Sequence, residues 1–177
     1  AALQQYFLKD NTACYVLTGD NYPHRIPMRN DEERLNVYNE SGEDGLRGYL
    51  GTPEEIDFDR INKELSEFKA GKDIIEIKHM GREDGDISYD ETDFTGIKVL
   101  ILEWTHGGSE YLKGVDIPVF LESSPEETKA RRIKRGRDEN AASPFICRVV
   151  ELEQEKLDLQ SKNARIVVGK DGKVYEQ

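Results

Sequence analysis

The chain has 177 residues, one domain's worth and long enough for a sizeable core, with 36% apolar and 34% charged residues. Its formal charge of −11 opposes a general nucleic-acid binder, because phosphate backbones would be repelled, yet leaves room for a local cationic site. Nothing resembles a signal peptide or an apolar run long enough to span a bilayer, so no membrane partner and a reducing, cytoplasmic setting are expected. Cys14 and Cys147 then read as structural thiols in apolar contexts.

"AALQQYFLKDN" (1–11) reads as the tail of an amphipathic helix with no capping group ahead of it. "TACYVLTG" (12–19) follows as a buried strand. It ends at Asp20, in a loop that carries Tyr22, His24, Arg25 and Arg29. Thr52-Pro53-Glu54-Glu55 supplies a capping residue, a proline at the first helical position and a capping-box acid. Ile61, Leu65 and Phe68 then form one apolar stripe, which Gly71 closes. "DIIEIKHM" (73–80) and "GDISYDETDF" (85–94) alternate about a Gly-containing turn, as an exposed hairpin does.

Three more continuous apolar runs read as strands: "IKVLILEW" (97–104), "DIPVFLES" (116–123) and "ARIVVGK" (164–170). With the first strand they imply a sheet covered on both faces. Ser124-Pro125-Glu126-Glu127 repeats the helix-start signal, and a third helix is expected from near Pro144 to Ser161, with Val149, Val150 and Leu157 inward. Strands alternating with helices make the class α/β, with a mainly parallel sheet.

Ligands of such sheets bind outside the carboxyl ends of the strands. Asp20 and Glu103 both fall there, and each alone reads equally as a helix cap or a solvated acid. Lys129, Arg131, Arg132, Lys134, Arg135 and Arg137 concentrate six cations in nine residues before the small-residue segment "GRDENAASP". A solvated helix end explains part of this run. A flap that closes arginines over phosphates explains more of it. Nucleic-acid binding through the same run conflicts with the net charge and lacks interleaved aromatics. His24, His79 and His106 have no metal-ligand spacing.

The order of these parts resembles the phosphoribulokinase/uridine kinase family of P-loop kinases along most of the chain. The matching pieces are "VLTGDNY" with "RIPMRNDE", "GTPEEIDFDRINKELSEFKAGK", "IIEIKHM", "VLILEW", "DIPVFLESSPEETKARRIKRGRD" and "ARIVVGKDGKV". The resemblance implies a P-loop NTPase-like three-layer α/β fold with a small hairpin and an arginine-rich lid. It implies transfer of the γ-phosphoryl group of ATP, with Mg²⁺, to a hydroxyl of a small molecule. Asp20 would accept the acceptor's proton, while Tyr22, His24, Arg25 and Arg29 would hold the acceptor. Glu103 would sit near the metal and its waters, and Arg131, Arg135 and Arg137 would reach the phosphates. The last strand and its "GKDGK" turn would lie near the adenine. Family members are often dimers or tetramers, so a homo-oligomer is a partner to test for.

Three departures accompany the match. No G-x-x-x-x-G-K-[ST] occurs in these residues. The family places that loop before the helix whose tail is read at the start, after a strand flanked by 97–104 and 116–123, so an upstream strand and phosphate loop are expected in the parent protein. Trp104 stands where the family has glycine after the strand-end acid, and "GDNYPH" is a loose match that argues against uridine as acceptor. A second reading stays open: a non-catalytic, kinase-like binding or regulatory domain.

Overall fold

Burial of short apolar runs dictates the architecture, and it does so in two compact units. The computed structural model describes residues 2–124, 126–127 and 143–176. The first unit comprises 1–31, 52–107 and 111–115, and the second comprises 32–51, 108–110 and 116–177.

In the first unit, helix α1 (Ala2–Lys9) ends in a turn closed by the Thr12 amide on the Phe7 carbonyl. Strand β1 (Cys14–Thr18) then pairs in parallel with β4 (Val99–Glu103), in a register that sets Thr18 opposite Glu103. Helix α3 (Phe58–Lys69) and the antiparallel hairpin β2 (Ile74–Met80) and β3 (Ile87–Asp93) complete the unit. Its core gathers Leu17, Ile56, Phe58, Ile61, Leu65, Ile75, Ile77 and Phe94.

Helix α3 begins later than the Thr52-Pro53 signal implies. Residues 52–55 form a turn, with the Glu55 and Ile56 amides on the Thr52 carbonyl. Asp57 is the cap, accepting from the Arg60 amide at 3.0 Å. The helix stops as expected before Gly71, whose φ of +73° suits glycine.

A 23-residue helix, α2 (Pro27–Tyr49), is absent from the sequence-based expectations. It runs from the first unit into the second and is broken at Gly42, where φ is +67°. Few of its residues are apolar, so its periodic signal is weak; Leu46, with Leu50 just past its end, joins a core with Val149 and Leu152. Those two belong to α4 (Pro144–Gln160), capped by Ser143, which accepts from the Ile146 amide. Across the same pair of helices, Arg148 donates to both carboxylate oxygens of Glu43, at 2.8 and 2.5 Å.

The second unit also holds β5 (Val119–Leu121), β6 (Ile166–Val168) and β7 (Val174–Glu176), with β5 and β6 parallel and β7 antiparallel. Val119 and Leu121 are exposed rather than covered, and β4 is only half-buried. Among the described residues no strand pairs with the second edge of β4 or of β5. Ser124 and Glu127 exchange the reciprocal bonds of a capping box, the start signal read from the sequence.

Candidate active site

Strand β1 ends at Thr18 and the chain turns at once into a 3₁₀ turn, Gly19–Asn21. Asp20, on that turn, is exposed. Glu103 closes β4 in register with Thr18, and it too is exposed. Both acids therefore stand at the same carboxyl edge of one parallel pair, where ligands of such sheets bind.

The loop beyond Asp20 is tied down residue by residue. The Tyr22 carbonyl accepts from the Asp57 amide at 2.8 Å, and the His24 amide donates to the Glu55 carbonyl at 3.0 Å. Lys78, buried on β2, donates its Nζ to the Pro23 carbonyl at 2.9 Å. Burial pushes the Lys78 ammonium down, partly offset by Asp57, whose carboxylate lies 3.8 Å away. The His24 ring lies 3.0 Å, through Nε2, from the Pro53 carbonyl. Four contacts to 53–57 and β2 make this loop a fixed shelf.

Tyr22 is the pin of that shelf. It is wholly buried and its hydroxyl donates to Glu64, itself buried on α3. Burial, reinforced by the bond to Glu64, pushes the phenol far above its ordinary range. Glu64 also accepts from Arg60 Nε at 2.6 Å and from the Lys78 amide at 3.1 Å. Arg60 continues to Glu76 at 2.8 Å and lies over the Tyr89 ring, 4.7 Å from its centroid. Burial lowers the Arg60 pKa, but Glu64 and Glu76 outweigh it and the guanidinium stays firmly charged.

The expected site residues are thus placed as follows. Asp20, His24, Arg25 and Glu103 reach the surface at or beside the carboxyl edge. Tyr22 has no surface for an acceptor to touch in this conformation, and it supports the loop from beneath. Arg29 belongs to the first turn of α2, not to the loop, and its guanidinium grips Asp84 of the hairpin turn at 3.0 and 2.6 Å. Arg131, Arg135 and Arg137 lie outside the described residues.

Sequence reasoning missed Glu64, Arg60 and Lys78. Glu64 had a signal, since it stands three residues after Ile61 on the inward stripe of α3, where an acid must be paired. Lys78 had none, because it breaks the alternation that buries Ile75 and Ile77. No group of three or more metal-ligating side chains occurs among the described residues. Two exposed carboxylates still suit Mg²⁺, which keeps several waters and takes one or two protein acids plus phosphate oxygens. No described helix is long and apolar enough to cross a membrane.

No protein-family model matches the chain. It is 74% identical, over 176 residues and 99% of its length, to the bifunctional alpha-galactosidase/sucrose kinase AgaSK of Mediterraneibacter gnavus, of which it spans 19%. Its structure is similar to that of phosphoribulokinase from Rhodobacter spheroides, with a TM-score of 0.69 at 12% identity. That match covers 94% of this chain and 63% of the other. The architecture is therefore the α/β, P-loop NTPase-like fold of phosphoribulokinase, the fold that the order of sequence motifs implied.

Proposed function

We propose that the chain forms the acceptor side of an ATP-dependent sugar kinase, a phosphotransferase whose acceptor is an alcohol group of a saccharide such as sucrose. The observation that carries this reading is the shared carboxyl edge of Asp20 and Glu103, on a chain that over 99% of its own length matches 19% of a protein named as a bifunctional alpha-galactosidase/sucrose kinase. The same reading treats 1–177 as one kinase domain of the phosphoribulokinase/uridine kinase type, cytoplasmic and open to homo-oligomerisation.

Asp20 accepts the proton of the attacking hydroxyl as its oxygen bonds to the γ-phosphorus. The bond from that phosphorus to the bridging oxygen of ADP breaks, leaving a sugar phosphate and ADP. The tied loop keeps Asp20 in place without loss of ordering entropy at each turnover. Arg25 offers donors to sugar hydroxyls beside it, and the second ring nitrogen of His24 offers an acceptor. Glu103 would hold Mg²⁺ through water, and the metal would neutralise charge on the phosphates. Contacts of Arg131, Arg135 and Arg137 with those phosphates belong to the reading on the strength of the sequence resemblance.

The test is to incubate the full-length protein with Mg-ATP and sucrose and to follow ADP and sugar phosphate together. One-to-one formation of both is expected. Folded protein that binds Mg-ATP and sucrose yet forms neither product would instead favour a non-catalytic regulatory domain.

A further inference from the structure

Trp104, the single tryptophan of the chain, follows Glu103 at the same carboxyl edge. Its Cβ, Cγ and Cδ1 pack against Gly19, so close that any side chain there would collide with them. Phe58 and Tyr22 hold the ring from the core side, at centroid distances of 5.5 and 6.3 Å, and His106 meets it edge-on at 5.5 Å. Trp104 nevertheless remains partly exposed. It is a large aromatic surface locked by its neighbours, next in sequence to one site acid and against the residue that precedes the other.

We infer that Trp104 is the platform on which a ring of the acceptor sugar stacks, with Asp20 taking a hydroxyl at its margin. The inference rests on the sugar-kinase reading for the identity of the ligand. A pyranose presents one face of C–H groups that carry slight positive charge, and the face of an aromatic ring is negative, so the two surfaces attract as they exclude water. A carboxylate beside the ring accepts a hydroxyl that radiates from it. An indole already fixed by Gly19, Phe58, Tyr22 and His106 gives up no rotamer freedom when the sugar arrives, which favours affinity. A tryptophan serving the core alone would be indifferent to sugar.

The test uses the full-length protein, uniformly nitrogen-labelled, titrated with sucrose in the absence of nucleotide. The indole N–H signal that disappears in W104F is that of Trp104. It is expected to shift with sucrose in a saturable way, and W104L is expected to bind sucrose at least tenfold more weakly with Mg-ATP binding unchanged. A Trp104 signal unmoved at saturating sucrose, or W104L binding within twofold of the wild type, overturns the platform. If W104L does not fold, the wild-type shift decides alone. Sucrose that binds with this dependence but is never phosphorylated would sink the kinase reading and leave the platform standing. Phosphorylation with an unaltered KM in W104L would do the reverse.

Discussion

The indole of Trp104 occupies the volume that a side chain on Gly19 would need: a methyl group on Gly19 would lie 1.9 Å from Cγ of Trp104 and 2.2 Å from Cδ1. The strand-end glycine of this chain thus sits before the acid of β1 rather than after the acid of β4, and the two positions are complementary in size. Gly19→Ala is expected to cost roughly 1–3 kcal/mol, the scale of overpacking. Urea unfolding measures it, and the cost should shrink in a Trp104→Leu background, because residues in contact are not additive.

The Tyr22 hydroxyl makes a pH-dependent contribution whose sign follows from its burial and its bond to Glu64. The folded-state pKa of Tyr22 is raised above its ordinary 10.0, by burial first and the Glu64 bond second. Its contribution is therefore complete below that value and is lost as pH rises beyond it, because the unfolded phenol ionises first. Lys78, pushed down by burial, acts in the opposite sense at and below the ordinary lysine range. Comparing wild type with Tyr22→Phe isolates the phenol. Urea midpoints of the wild type should fall more steeply above about pH 10 than those of the variant. Parallel curves would remove Tyr22 from the account.

Asp57→Ala removes the cap of α3 and the carboxylate beside the buried Lys78 ammonium, and should destabilise the protein by at least about 1 kcal/mol. Thr52→Ala should leave the cap of α3 in place, because the helix is capped at Asp57, five residues on. Urea unfolding of both variants separates the two positions.

The pair Arg29 and Asp84 makes two good hydrogen bonds, yet both side chains are about half-exposed, at 46% and 62%. Arg29 holds the Asp84 carboxyl below its usual range through those bonds. Water competes for both partners, so Asp84→Asn should leave the urea midpoint at neutral pH indistinguishable from wild type. A large shift would mean that the hairpin depends on this clamp.

How far the sequence could be read depended on where each signal was local. Continuous apolar runs placed β1, β4, β5 and β6, and the turn between two alternating segments placed the hairpin. The strand-end positions of Asp20 and Glu103 were legible because strand ends and acids are both local features. Helix α2 was not, since its exposed charged surface carries little periodicity and Gly42 interrupts it. Thr52-Pro53 looks like a helix start but serves a turn, and Asp57, five residues on, does the capping. The role of Tyr22 depends on Glu64, 42 residues away, and no local pattern reports such a partner. The closeness of Trp104 to Gly19 likewise follows from the pairing of β1 with β4.

The central claim is that Asp20 accepts the proton of a sugar hydroxyl during phosphoryl transfer. The most direct measurement is turnover of Mg-ATP and sucrose by the full-length protein and its Asp20→Asn variant, with nucleotide binding followed by calorimetry. The account predicts a fall in kcat of about 10²–10⁴-fold with Mg-ATP affinity nearly unchanged. Turnover by Asp20→Asn within a few-fold of the wild type would contradict it.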